Sequence, residues 1–139
     1  MPTRVDCFLD TNILIYAALG RGTEESKRAK AADLMRRTNF GLSAQVLQEF
    51  YTAVIRKPDR PLTPARAFEW IEELAQQPCA AIDAALIKIA IEISQRHRIN
   101  YWDGAILAAA ERLGADTLFT EDLNHGQRYG AVRVLNPFR

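Results

Sequence analysis

Short apolar runs alternate along the chain with longer segments in which apolar residues recur every three or four positions. The short runs predict buried strands, and the longer segments predict amphipathic helices. Strands are predicted at 5–10, 40–43, 78–82, 116–120 and 131–135. Helices are predicted at 12–19, 26–38, 44–57, 64–77, 84–97 and 101–114. Strands that alternate with helices are typical of an α/β domain with a mostly parallel central sheet flanked by helices. The length predicts one domain, 1–139.

Residues at the helix ends support these boundaries. Ser, Thr and Asp favour the position before a helix because their side chains accept hydrogen bonds from its first free N–H groups. Such N-caps are predicted at Thr23, Ser43, Thr63 and Asp83. Pro64 fits the first position of its helix, and Gly114 fits the end of the last helix. The segments 57–64 and 121–130 are predicted to be loops.

Acidic residues stand at or near the ends of predicted elements. Asp10 ends the first strand inside the apolar run FLDTNILIY, and Asp122 follows the fourth strand. In open parallel sheets, ligands bind outside the carboxyl ends of the strands, near the point where strand order reverses. Asp103 opens the apolar face of the last helix, and Glu49 flanks the apolar face of the third. Asp10, Asp103 and Asp122 are therefore expected near one edge of the sheet, and Glu49 can face that edge from its helix.

Each acid also has a purely structural explanation. Asp10 and Asp103 fit helix capping or a first helical turn. Asp122 fits a turn, and Glu49 fits a solvated helix flank. A cluster has a further consequence, because two carboxylates ~6 Å apart at an effective dielectric of ~20 repel by roughly 3 kcal/mol. Such a cluster must take up protons or hold a cation, and oxygen ligands favour a hard divalent ion, Mg²⁺ or Mn²⁺.

Composition and charge narrow the class of protein. The chain carries 18 Lys and Arg against 17 Asp and Glu, so any nucleic-acid-binding surface must be local. No apolar run approaches the ~20 residues that span a bilayer, and Asp6 and Asp10 interrupt the apolar stretch that a signal peptide needs. These features predict a cytoplasmic protein without membrane contact. Cys7 and Cys79 lack zinc-site spacing, and Cys7 is predicted to be a buried thiol.

Several catalytic classes are disfavoured by the sequence. No Ser–His or Cys–His pair suggests a covalent route, and neither glycine motif of the Rossmann and P-loop nucleotide binders occurs. A phosphatase with an aspartate nucleophile needs a second acid two residues after the first, where this chain has Asn12. A non-catalytic binding module stays an alternative, although its expected sign is a lost acid and all four acids are present.

Three further features have mostly structural interpretations. Trp102 and Tyr101 stand beside Asp103 and suit stacking on a nucleic-acid base, but core packing or a dimer contact is the more usual role. His125 is predicted to be an exposed loop residue. The basic residues of the helix 26–38 are predicted to form a solvated face rather than a phosphate-binding surface.

Four stretches, FLDTNILIY, QVLQEFYTAV, NYWDGAILAAAERLGAD and LFTEDLNHG, occur in the order and at the spacing found in PIN-domain ribonucleases. The chain resembles this family and, within it, the VapC toxins of toxin–antitoxin pairs. The resemblance implies a toxin that cleaves RNA as an endoribonuclease and depends on Mg²⁺, with Mn²⁺ as a substitute. It also implies two protein partners, a cognate antitoxin and a second copy of the chain.

The resemblance assigns roles to particular residues. The catalytic and metal-binding set that it implies is Asp10, Glu49, Asp103 and Asp122. Thr11 or Asn12, together with Thr120, would be polar supports that orient carboxylates or water. Glu121 directly precedes Asp122, so the sequence leaves open which of these two acids contacts the metal.

Overall fold

The computed structural model describes residues 4–59 and 61–139. The strands are β1 (Cys7–Leu9), β2 (Phe40–Ser43), β3 (Cys79–Ala80), β4 (Thr117–Phe119), β5 (Arg128–Tyr129) and β6 (Val132–Leu135). The α-helices are α1 (Thr11–Leu19), α2 (Glu25–Arg37), α3 (Ala44–Ile55), α4 (Pro64–Leu74), α5 (Ala84–His97) and α6 (Tyr101–Arg112). A 3₁₀ helix, Gly22–Glu24, precedes α2. The predicted loop 57–64 includes residue 60, which lies outside the described residues.

The strands form one sheet in the order β3-β2-β1-β4-β6-β5. All neighbouring pairs are parallel except β5 and β6, which are antiparallel. Because β2 and β4 lie on opposite sides of β1, strand order reverses beside β1, where open α/β sheets bind ligands. The α/β class with a mostly parallel sheet is confirmed. The strand β5 was not predicted and lies in a segment expected to be a loop.

Local capping explains most of the helix starts. Ser43, Thr63 and Asp83 each accept a hydrogen bond from the backbone N–H three residues on, at 3.2, 3.2 and 2.8 Å. The prediction for Thr23 is wrong, because this residue lies inside the 3₁₀ helix and the N-cap of α2 is Glu24. Gly114 follows the end of α6 in the left-handed conformation, with φ 75°.

Two groups of helices cover the sheet. The helix α1 packs against α2 and α3, and α3 packs against α4. The helix α5 packs against α6, which also contacts β2, β4 and β6. The approach of α5 to α6 is close, since a Cβ atom added at Gly104 would lie 2.7 Å from the carbonyl oxygen of Ala90. This contact fixes the first turn of α6, which carries Asp103.

Cys7 lies in the buried core, as the sequence predicts. Cys7 is only 3% exposed, and burial raises the pKa of its thiol, as expected for a buried, reduced cysteine. Within residues 4–59 and 61–139, no helix is both long enough and apolar enough to cross a membrane.

Candidate functional site

Asp10 follows β1 and is buried at the start of α1. Its side chain is 6% exposed. Its Oδ1 atom accepts a hydrogen bond from the backbone N–H of Thr11 at 2.7 Å, and Oδ2 accepts one from the Thr120 hydroxyl at 2.8 Å. Burial raises the pKa of Asp10 to about 6; these two hydrogen bonds oppose the shift, and the charges of Asp122 and Glu49 add to it. The residue therefore caps α1 and is also a buried acid that feels two other carboxylates.

Thr120 connects Asp10 to Asp122. Its side chain is fully buried, and because its hydroxyl donates to Asp10, its oxygen accepts from its other neighbours. These are the Asn12 side-chain amide at 3.2 Å and the backbone N–H of Asp122 at 3.1 Å. Asn12 also donates to Oδ2 of Asp122 at 3.1 Å. The two polar supports predicted at 12 and 120 thus hold Asp122 beside Asp10.

The same network fixes the orientation of the Asn12 amide. Both of its contacts are to acceptors, so the nitrogen must face Thr120 and Asp122. Its oxygen, Oδ1, is buried and is the only such side-chain atom without a hydrogen-bond partner in the described part of the chain. A buried acceptor without a donor costs about 1–3 kcal/mol, so a donor that came within reach of this atom would stabilise the site.

Glu49 is held by residues on two helices. The Thr11 hydroxyl donates to its Oε1 atom at 2.6 Å, and the Gln45 side-chain amide donates to its Oε2 atom at 3.2 Å. Gln45, 8% exposed, also donates to the backbone carbonyl of Trp102 at 3.4 Å and so ties Glu49 to the start of α6. Gln45 was not predicted, although its position four residues before Glu49 on one helix would have indicated the contact.

Asp103 lies in the first turn of α6, but it is not the cap. Asn100 is the N-cap, and its Oδ1 atom accepts from the backbone N–H of Asp103 at 2.9 Å. The Asn100 amide donates in return to Oδ2 of Asp103 at 2.8 Å. Burial raises the pKa of Asp103, and the charges of Asp122 and Glu49 raise it further. Asn100 was also missed by the sequence analysis.

Glu121 has different partners from Asp122. Its Oε1 atom accepts a hydrogen bond from the Tyr16 hydroxyl at 2.5 Å, and its Oε2 atom accepts one from the Lys27 ammonium at 3.0 Å. Both carboxylate oxygens are therefore engaged with α1 and α2. Between the two acids that the sequence could not separate, Asp122 is the one joined to Asp10 through Thr120.

The four predicted acids are neighbours, but their present spacing is wide. Asp10 and Asp103 each interact electrostatically with both Glu49 and Asp122. Among the residues that the structure describes, however, no three His, Cys, Asp or Glu side chains are close enough to hold a metal ion as they stand. Each carboxylate is bonded to protein donors instead, so binding one ion would require side-chain movements toward a common centre.

The three features interpreted as structural have mixed outcomes. Trp102 is 63% exposed, so core packing is wrong for this residue. The Trp102 and Tyr101 rings meet edge to face with centroids 5.0 Å apart. His125 is exposed, and its Nδ1 atom accepts from the backbone N–H of Asn136 at 2.9 Å. On α2, arginines pair with acids of the same helix, as expected for a solvated face: Arg28 with Glu25, and Arg36 and Arg37 with Asp33.

Comparison with known proteins identifies the family. The sequence model of the PIN domain matches residues 7–130. The chain belongs to the PIN domain family. This membership confirms the family resemblance and the fold that it implied. No curated protein sequence matches the chain.

Solved structures with this PIN fold include several from bacterial toxin–antitoxin systems. A toxin–antitoxin complex from Klebsiella pneumoniae has 17% sequence identity and a TM-score of 0.71, with 95% of this chain and 98% of that chain covered. VapC20 of Mycobacterium tuberculosis, described as a toxin that cleaves the sarcin–ricin loop, has 19% identity and a TM-score of 0.66, covering 84% and 92%. FitAcB of Neisseria gonorrhoeae has 21% identity and a TM-score of 0.64, covering 95% and 98%. At these identities the likeness establishes the fold.

Proposed function

We propose that this PIN-domain protein is a Mg²⁺-dependent endoribonuclease, active also with Mn²⁺, and the toxin of a toxin–antitoxin pair. The observation that carries the proposal is the buried Asp10 at the switch point of the sheet, linked through Thr120 to Asp122 and through Thr11 to Glu49. Family membership supports a nuclease. The toxin–antitoxin complexes and the RNA-cleaving VapC20 among the similar folds support the toxin role.

The donor set fits a hard divalent ion. The residues that would hold Mg²⁺ are Asp10, Glu49, Asp103 and Asp122, which offer only oxygen ligands. Burial raises the pKa of Asp10 and of Asp103, and a bound cation would favour their charged forms again. The unpaired Oδ1 atom of Asn12 adds a neutral acceptor beside them. When bound, the ion supplies an activated water and neutralises negative charge on the phosphate.

The chain's own residues prepare this site. Thr11 and Thr120 each donate to one acid and so fix the carboxylates of Glu49 and Asp10 before substrate arrives. Asn12 holds Asp122 with its amide nitrogen. We infer that the substrate is a single-stranded or looped RNA, because only an accessible backbone can approach an acid as buried as Asp10.

Exposed apolar surfaces support protein partners. Five large apolar side chains are 39–63% exposed in the described part of the chain: Phe68, Ile82, Ile87, Ile91 and Trp102. Ile82, Ile87 and Trp102 also line a cavity of about 280 Å³ that none of the four acids borders. Such patches mark interaction surfaces. We propose a homodimer through the α5–α6 surface, an antitoxin that covers the acidic site, and a cytoplasmic location for the pair.

The alternatives are less well supported. For a phosphatase with an aspartate nucleophile, the second acid is absent, and Asn12 in its place uses its amide nitrogen to hold Thr120 and Asp122. A non-catalytic module on the PIN scaffold does not explain why all four acids are present and electrostatically coupled.

The test is RNA cleavage by purified protein freed of antitoxin. A panel of structured and unstructured RNAs is incubated with Mg²⁺, with Mn²⁺ or with EDTA. The variants are Asp10→Asn and Asp103→Asn, with Asp116→Asn as a matched control, because Asp116 is 73% exposed and pairs with Arg4. We expect cuts at discrete positions that need metal, disappear in the two site variants and persist in the control. Cleavage that survives EDTA or the Asp10→Asn substitution would refute the proposal.

A further inference from the structure

Three side chains from distant parts of the chain form a closed set of contacts beside the acidic site. The Tyr16 hydroxyl donates to Glu121 at 2.5 Å, and the Lys27 ammonium donates to both Glu121 at 3.0 Å and the Tyr16 oxygen at 3.2 Å. We call Tyr16, Lys27 and Glu121 the Tyr16 clamp. Its members come from α1, α2 and the loop after β4, so the clamp joins both helices to the loop that carries Asp122.

The C-terminal segment covers the clamp. The Tyr16 and Phe138 rings meet edge to face with centroids 5.1 Å apart. The Lys27 ammonium lies 4.7 Å from the centre of the Tyr16 ring and 5.4 Å from that of Phe138, within range of a cation–π attraction to each ring. The side chains of Lys27 and Glu121 keep only 35% and 23% of their exposure. The ion pair is thus shielded from solvent more than the arginine–carboxylate pairs on α2.

The clamp holds the backbone on which the site depends. Glu121 lies between Thr120, which donates to Asp10, and Asp122, which accepts from Asn12. Tyr16 is one helical turn after Asn12 on α1. Two successive acids are therefore fixed to two successive turns of one helix, Asp122 through Asn12 and Glu121 through Tyr16.

We propose that the Tyr16 clamp is a positioning device for Asp122 and that Glu121 is a positioning residue, not a metal ligand. Both oxygens of Glu121 are bonded within the clamp, and Lys27 neutralises its charge. The clamp thereby keeps a fifth carboxylate away from the four acids and holds Asp122 toward Asn12 and Thr120. Its consequence for metal binding and cleavage rests on the proposed function, whereas its effect on the geometry of Asp122 does not.

The first test measures geometry in the metal-free protein. The backbone N–H of Asp122 donates to Thr120, so its hydrogen exchange reports whether this loop is held. The variants are Tyr16→Phe, which keeps the ring, Lys27→Met and Glu121→Gln. The control is Glu69→Gln, which removes the charge of an exposed pair with Arg66. We expect Tyr16→Phe to speed exchange of the Asp122 amide about tenfold, as loss of a hydrogen bond to a charged group does, and the control to leave it unchanged.

The second test separates a positioning role from direct ligation. Mn²⁺ affinity is measured by calorimetry for the clamp variants alone and in an Asp122→Asn background. If the clamp acts through Asp122, each clamp variant weakens Mn²⁺ binding in the wild-type background and adds nothing in the Asp122→Asn background. If Glu121 is itself a ligand, Glu121→Gln weakens binding in both backgrounds while Tyr16→Phe leaves it unchanged, and the proposal is overturned.

The two proposals fail in different ways. If exchange of the Asp122 amide is the same in Tyr16→Phe, Lys27→Met and the wild type, the clamp does not position Asp122, whatever the protein does to RNA. If the amide exchange responds as expected but the wild type neither binds Mn²⁺ nor cleaves RNA, the clamp stands as a structural device and the proposed function falls. Melting temperatures of all variants show that each is folded.

Discussion

Replacement of Asp10 by asparagine should stabilise the metal-free protein at neutral pH while abolishing cleavage. The carboxyl group is buried, and burial raises its pKa from 3.8 to about 6. At 1.36 kcal/mol per pKa unit, ionising this group in the folded protein costs roughly 3 kcal/mol. An uncharged asparagine of the same shape avoids this cost. A residue that stabilises the protein when removed is one retained for function.

The hydrogen bonds of Asp10 reduce the expected gain. The Thr11 backbone can still donate to an asparagine oxygen, but the Thr120 hydroxyl would face an amide nitrogen while its oxygen already accepts from Asn12 and Asp122. Loss of that hydrogen bond destabilises the variant by about 1–2 kcal/mol. The net stabilisation is then about 1–2 kcal/mol at pH 7.5. With an unfolding entropy of about 2.1 cal/mol/K per residue, this raises the melting temperature by about 3–7 °C.

The stabilisation of the protein by Asp10→Asn should increase with pH. The folded-state pKa of Asp10 is higher than its unfolded value, so below about pH 3.8 the acid is protonated in both states and does not destabilise the fold. The free-energy penalty for ionising Asp10 grows as pH rises from there to about 6 and is complete above it. The advantage of Asp10→Asn should therefore be complete above pH 7 and shrink as pH falls from about 6 towards 3.8. Near pH 3.5 only the lost hydrogen bond remains, so the variant should there be less stable than the wild type. Urea and thermal unfolding in EDTA, followed by circular dichroism at several pH values, measure it.

A matched control is Asp83→Asn. Asp83 also caps a helix, but its contact with Arg112 and its backbone hydrogen bond lower the pKa of its carboxyl. This variant should show no stabilisation at pH 7.5. The reasoning is refuted if Asp10→Asn is less stable than the wild type at pH 7.5 in EDTA, because the carboxylate would then be stabilised in the fold by its hydrogen bonds and not strained by burial.

Three further predictions follow from the same structure. Mn²⁺ binding should weaken as pH falls below about 6, because protons compete with the cation for Asp10. Calorimetry between pH 5 and 8 measures the affinity, and an affinity that does not change with pH would contradict this prediction. Thr120→Val should lower the cleavage rate roughly 10–100-fold, as loss of a residue that orients metal ligands does. Circular dichroism should show that this variant is still folded, and an unchanged cleavage rate would exclude the positioning role of Thr120. Ile87→Glu should convert a dimer to a monomer in light scattering, whereas Phe68→Glu, which is exposed on α4, should not; a dimer that persists in Ile87→Glu would place the interface elsewhere.

Much of the fold was predictable because its signals are local. Ser43, Thr63 and Asp83 cap helices within three residues of their own positions, so their roles depend little on the rest of the chain. The two features that the sequence did not predict correctly have no such local signal. Thr23 is displaced by a 3₁₀ helix whose sequence has no distinct signal, and β5 has only two residues, which are defined by their pairing with β6.

The residues of the candidate site also divide into those with a local sequence signal and those whose partners are distant in the chain. The four acids could be proposed from the sequence because each stands at an element end or beside an apolar face. The different partners of Glu121 and Asp122 were not accessible from the sequence, because these partners, Tyr16 and Asn12 respectively, lie 105 and 110 residues away. Asn100 and Gln45 were missed although each lies within one helical turn of the acid that it holds. Their spacing of three and four residues from the acid is itself a local signal for both contacts.

The central claim is that Asp10, Glu49, Asp103 and Asp122 converge on one divalent-cation site. Anomalous diffraction from a crystal soaked in Mn²⁺ tests it most directly, because the signal locates the metal independently of activity. The account predicts a Mn²⁺ peak bound by oxygen atoms of these four residues, with Glu121 still bonded to Tyr16 and Lys27. A peak coordinated by Glu121, or no peak among the four acids in a protein that cleaves RNA with Mn²⁺, would contradict it.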